Sequence, residues 1–239
     1  MGWMVCAALC AYFVKGLCGF ANTLVFTTIL SFGLDNVTIS PVELILGYPT
    51  NLMMIRKEKE ALVTKIWLPL TVIVLIGDIP GILLLKNTDV HAVKIAFGFV
   101  IIALALEMFF RENGRKKTKE SGILLGAIGI ISGVLCGLYG IGALLAAYMS
   151  RVTDSNRAFK ANICMVFFLE NTFRIVLYAS LGIITAATVR QAVILLPMMF
   201  VGMFAGMKSG SFLNEKSVKK LVILMLFLSG AALVVTNFT

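Results

Sequence analysis

Lys15 stands inside FVKGLCGFANTLVF, residues 13–26, with Gly16, Gly19, Asn22 and Thr23 close by in a long apolar run. An ammonium, an amide, a hydroxyl and glycine backbone are all hydrogen-bond donors within a few residues of each other. Glycine also lets backbone N–H groups approach a ligand closely. Such a set suits a small anion. FFLENTFRIVLY, residues 167–178, holds a second set: Glu170 and Arg174 lie four apart on one helical face, with Asn171 beside them. That spacing makes either a structural ion pair or an anion contact with a switchable carboxylate partner. Asp78, in LIGDIPG beside Pro80, is a further carboxylate inside an apolar run. Glu170 and Asp78 are therefore the expected proton-coupling residues.

All of these residues sit where charge is expensive. A lysine at the centre of a membrane helix costs about 2.5–3.5 kcal/mol. Lys15 then contacts substrate in a cavity, snorkels towards the surface, or is permanently paired. The remaining ionisable residues have simpler readings. Glu43 and Glu107 fall near the ends of apolar runs, where a solvated carboxylate costs little. His91, the single histidine, opens a run and reads as interfacial. Asn51, after Tyr48-Pro49-Thr50, lines a cavity or packs against Asn171.

The elements that must carry these groups are long and apolar. Of 239 residues, 59% are hydrophobic and 14% charged, and mean hydropathy is +0.98. That is the composition of a polytopic membrane protein. The net charge of +9 does not point to nucleic acid, because the basic residues cluster in short gaps between apolar runs, where they set topology and meet lipid headgroups. No Walker A sequence is present. One histidine and scattered cysteines offer no catalytic or metal constellation, so neither enzyme activity nor a cofactor is expected. Cys6, Cys10, Cys18, Cys136 and Cys164 read as small packing residues.

Apolar runs lie at about 3–32, 40–55, 62–85, 92–110, 121–149, 161–181, 189–207 and 218–238. A span needs about 20 residues, so the first and fifth runs are too long, and both are interrupted by glycine and polar residues. As eight plain spans, the gaps divide the basic residues ten against nine, which gives no orientation. If runs one and five instead enter and leave on the same face, one face keeps only Lys86, Lys94 and Arg190. The other takes sixteen of the 21, with Lys15 and Arg174 in the membrane. The positive-inside rule favours this second arrangement and puts both termini outside. Each hairpin arm is then about 13 residues, or roughly 20 Å of helix. The expected tips are Gly19 to Thr23 and Gly137 to Gly142.

The two halves also resemble each other. KGLCGFAN matches GVLCGLYG through Leu-Cys-Gly. Gly77-xxx-Gly81 corresponds to Gly202-xxx-Gly206, HAVK (91–94) to KSVK (216–219), and Asn51 to Asn171. Each half is one hairpin plus three spans, and an odd number of spans inverts the second copy. The expected fold is an all-α polytopic membrane protein of two inverted repeats, 1–110 and 121–239, joined by a basic cytoplasmic linker at 111–120. Inverted repeats with broken helices near the midplane are an architecture of secondary transporters. At each tip the returning helix presents free N–H groups and its positive dipole end. Gly19, Asn22, Thr23, Gly137, Tyr139 and Gly140 are the expected tip contacts, joined by Lys15, Asn51, Asn171 and Arg174.

The broken first and fifth segments, the four-segment repeats, the basic gap after the second segment and the GxxxG in the third resemble the TauE/SafE family over most of the chain. That resemblance implies carriage of sulfite, sulfonates or related organosulfur anions across the cytoplasmic membrane. The expected partners are a small anionic substrate, membrane lipid and a coupling proton or ion, with the chain a monomer or homodimer. A carrier of another solute, such as a carboxylate, is the nearest alternative. A membrane enzyme or scaffold is the different-class one.

Overall fold

The computed structural model describes residues 2–30, 33–34, 36–87, 122–140 and 142–210, with helical positions scattered between 95 and 110 and between 217 and 235. Eight continuous helices carry the fold: α1 (Gly2–Cys18), α2 (Asn22–Leu30), α3 (Asn36–Lys57), α4 (Thr64–Asn87), α5 (Gly122–Tyr139), α6 (Ala143–Val152), α7 (Asn156–Ser180) and α8 (Ala186–Gly210). No strand occurs among the described residues. By length and composition, Thr64–Leu83, Asn156–Ser180 and Ala186–Gly210 are able to cross a membrane, and shorter apolar helices cover Gly2–Cys18 and Gly126–Leu138. This is an all-α membrane architecture.

The first long run breaks where its backbone turns left-handed. Gly19 has φ +87° and Ala21 φ 70°. Glycine adopts that region at no steric cost, whereas alanine pays about 1–3 kcal/mol that its surroundings must offset. The carbonyls released at the end of α1 are taken up by α7. Lys160 Nζ donates to Leu17 O at 2.7 Å, and Cys164 Sγ to Gly19 O at 3.2 Å. A lysine at this end also meets the negative pole of the α1 dipole. Beyond the break the chain folds back, so that Trp3 Nε1 donates to Ile29 O at 2.9 Å. In one unbroken helix those residues would be about 39 Å apart.

The second run breaks at Gly140, φ +69°, and α6 starts from Gly142. Both breaks are narrower than the sequence suggested. Asn22 and Thr23 belong to α2, and Gly137 is still inside α5. The arms are accordingly unequal, with 17 and 9 residues in the first pair and 18 and 10 in the second. The Leu-Cys-Gly match is also one turn out of step with the breaks. Cys18 ends α1, whereas Cys136 lies a turn short of the end of α5.

Glycines set the closest helix contacts. α8 runs parallel to α1: a Cβ on Gly202 would lie 2.6 Å from Leu9 O, one on Gly206 would strike Phe13 O, and one on Gly16 would lie 2.5 Å from Met203 O. α4 runs parallel to α5 in the same way. A Cβ on Gly77 would strike Ile130 O, one on Gly81 would strike Val134 O, and one on Gly137 would lie 2.6 Å from Asp78 O. Backbones this close need small residues at the contact. α3 and α7 cross antiparallel. Ser40 meets Tyr178, the Tyr48 and Phe168 rings stack with centroids 4.9 Å apart, and Arg157 Nε reaches Glu58 Oε2 at 2.8 Å. Asn162 closes the end of this crossing. It accepts from Val63 N at 2.8 Å and donates to Ala61 O at 3.1 Å.

Candidate functional site

The two breaks meet in the interior. A Cβ on Gly140 would lie 3.2 Å from Thr23 Cγ2 and 2.9 Å from Arg174 Nη1. Beside this contact lies a small, partly open polar cavity. Its wall takes Phe20 to Leu24 from the first break and α2, Gly140 and Gly142 from the second break, and Lys15 from α1. Glu43 and Asn51 come from α3, and Phe167, Glu170 and Asn171 from α7. The first N–H groups of α2 have no partner within their own helix, and residues 22–24 line the cavity.

Lys15 is buried, and its Nζ donates to Asn51 Oδ1 at 2.6 Å. No carboxylate lies within ion-pair distance of it among the described residues. Asn51 Nδ2 has no hydrogen-bond partner among the described residues. Arg174 sits behind the wall rather than in it. Its Nη1 donates to Glu170 Oε1 at 3.2 Å, and its Nη2 donates to Ser40 Oγ at 2.9 Å and to Tyr178 Oη at 3.1 Å. Its guanidinium also lies 5.1 Å from the centre of the Tyr178 ring. Tyr178 Oη in turn donates to Gly137 O at 3.1 Å. The pair suggested by i,i+4 spacing is thus one part of a cluster joining α3, α5 and α7.

Of the residues singled out from sequence, Lys15, Asn22, Thr23, Asn51, Gly140, Glu170 and Asn171 come together around the cavity. Gly19 does not line it, since the space beside its Cα is filled by Lys160. Gly137 packs against α4, and Asp78 lies in that same helix contact, fully buried, with no hydrogen-bond partner among the described residues for either carboxyl oxygen. The side chain of Tyr139 lies outside the described residues, as do His91, Glu107, the 111–120 linker and most of the HAVK and KSVK segments. Cys6 and Cys10 are free and exposed, not packed between helices. The last two turns of α1 are buried on other faces, against α7 and α8.

Glu43 is the residue that sequence reasoning underrated. Expected as a solvated carboxylate at a run end, it is 3% exposed and faces the cavity. The physical reason is the start of α3. Counted from hydropathy, the helix opens near residue 40, but it begins at Asn36, which carries Glu43 two turns inward. Asn22 Nδ2 donates to Glu43 Oε1, and Tyr12 Oη donates to Glu43 O at 3.3 Å. Pro41 reinforces the later start, because proline is tolerated in a first turn, yet it lies in the second turn of α3.

No curated protein and no solved structure matches the chain. The family described as Sulfite exporter TauE/SafE matches it over residues 4–233, a stretch that includes both breaks and the whole cavity wall. Apolar helices of spanning length, two broken helical runs and that near-complete match make the chain an integral membrane protein of the TauE/SafE sulfite exporter family.

Proposed function

We propose that this protein is a secondary transporter that moves a small organosulfur anion, sulfite or a sulfonate, across the cytoplasmic membrane by alternating access. The observation that carries this reading is the cavity where the breaks meet. It brings a buried ammonium with one protein partner among the described residues and the N-terminus of α2 to one place. An ammonium and free helix N–H groups together stabilise negative charge. The family match supports the substrate class.

The alternating-access part rests on two inverted repeats, 1–110 and 121–239, each opening with a re-entrant pair of helices. The exchange of partners supports it. The glycines of α8 pack on α1 and those of α4 on α5, both parallel, while α3 and α7 cross antiparallel. A two-fold axis in the membrane plane would produce that pattern. The linker at 111–120 then lies in the cytoplasm and both termini outside. Glu170 and Asp78 are the coupling carboxylates of this scheme.

Counterflow in proteoliposomes tests the reading. Labelled sulfite and methanesulfonate are expected to exchange, acetate is not, and Lys15→Met is expected to bring exchange to background. Exchange of acetate with exclusion of both sulfur oxyanions would overturn the substrate class. Cysteines placed at Gly2 and Gly33 are expected to label from the same side of the membrane. Labelling from opposite sides would remove the re-entrant arrangement.

A further inference from the structure

Glu43 is the charge in the cavity wall that carriage of a plain anion leaves without a use. Glu170, the other carboxylate there, is compensated by Arg174 at 3.2 Å. Among the described residues Glu43 has no cation within ion-pair distance. Its Oε1 is held by the neutral amide of Asn22. Lys15 lines the same cavity and is likewise held by a neutral amide, Asn51. Two groups of opposite charge thus face one cavity, each hydrogen-bonded to an asparagine and with no direct ion pair between them among the described residues.

A bare anion at Lys15 would bring uncompensated negative charge up to Glu43, and like charges at short range in a poorly solvated site repel strongly. A ligand with both poles meets neither penalty. Its oxyanion fits Lys15 and the start of α2, and its ammonium fits the carboxylate. Residue 47, a glycine, lies close against that carboxylate. A Cβ there would lie 3.2 Å from Glu43 Oε1, 3.5 Å from Asn22 Nδ2 and 3.7 Å from Asn171 Nδ2. Any side chain at 47 would crowd the contact between Asn22 and Glu43.

We propose that the cavity binds a zwitterion, an amino-substituted sulfonate whose ammonium docks on Glu43 and whose sulfonate docks on Lys15. This deepens the transport reading above and rests on it. Glu43 is the residue that discriminates amino-sulfonates from plain sulfonates.

The test is titration calorimetry on purified protein in nanodiscs. The probes are ω-aminoalkanesulfonates with two, three and four carbons, each against the alkanesulfonate of the same length. Wild type is expected to bind the amino form on the order of tenfold more tightly at the best-fitting length. Glu43→Gln keeps the shape of the side chain and an acceptor for Asn22. It is expected to erase that preference while binding the plain sulfonate at least as well as wild type. Glu58→Gln, on the carboxylate paired with Arg157 away from the cavity, is expected to keep the preference. Should Glu43→Gln not fold, Glu43→Asp retracts the carboxylate and is expected to move the optimum to a longer chain. Equal affinity for both series in wild type would overturn the zwitterion and leave anion carriage standing. A preference that survives Glu43→Gln would overturn the assignment to Glu43. Binding of neither series would overturn both this inference and the transport reading.

Discussion

Lys15 and Arg174 are each 1% exposed, yet the protein treats them differently. Arg174 has several protein partners, although among the described residues its Nε has none. Glu170, Ser40 and Tyr178 all accept from it, and the Tyr178 ring lies beneath its guanidinium. Lys15 has a single partner among the described residues, the neutral Asn51. An ammonium has three N–H donors, so two are left for whatever enters the cavity. The fixed cation joins helices, and in the proposed reading the underused one holds the ligand. Glu170 stands where the two regions touch, lining the cavity on one side and pairing with Arg174 on the other.

Removing Arg174 is the strongest way to break this comparison. Arg174→Met leaves Glu170 buried without its cation and strips Ser40 and Tyr178 of a shared donor. Breaking one half of a buried pair costs about 3–5 kcal/mol, so the thermal unfolding midpoint in detergent is expected to fall steeply. Arg174→Met combined with Glu170→Gln is expected to regain much of the loss, because no lone charge remains buried. If Arg174→Met unfolds at the wild-type temperature but no longer binds sulfonates, then Arg174 belongs with Lys15 and the division between the two cations is wrong.

Lys15→Met should do the reverse. Deleting a buried ammonium that lacks an anionic partner removes a desolvation cost, so the unfolding midpoint is expected to hold or rise. Binding is expected to weaken sharply. A charged hydrogen bond is worth about 1.5–3 kcal/mol, equivalent to about 10–150-fold in affinity. Calorimetry with an aminosulfonate and an unfolding scan on the same sample read both effects together. A large loss of stability with unchanged affinity would make Lys15 a structural residue.

How far the sequence discloses this division differs from residue to residue. Both breaks are visible as glycine interruptions in runs too long to be single spans. Their places are less so, because Gly16, Gly19, Gly137 and Gly140 compete for the turn, and only φ +87° and +69° single out Gly19 and Gly140. The Leu-Cys-Gly likeness favours the wrong register, since identical letters carry no information about backbone conformation. The helix contacts place Gly16 against Gly206 and Gly137 against Gly81 instead. The Glu170–Arg174 pair is legible because its spacing is local. Its anchoring is not, because Ser40 lies 134 residues away in sequence and reaches Arg174 only once α3 crosses α7. Glu43 is hidden for a related reason. The start of α3 is polar, so hydropathy undercounts the helix by about a turn.

Ser40→Ala gives the smallest effect and the finest test. Ser40 Oγ accepts from Arg174 Nη2 at 2.9 Å and lies 3.2 Å from Tyr178 Oη. It does not line the cavity. Removing the hydroxyl deletes one acceptor from a guanidinium that keeps Glu170 and Tyr178, and a hydrogen bond of this kind contributes about 1 kcal/mol net. A small drop in unfolding midpoint is expected, with affinity for aminosulfonates unchanged. If affinity falls while the midpoint stays put, the α3–α7 cluster takes part in binding. The boundary between fixed and available charge would then have to move from Glu170 to the far side of Arg174.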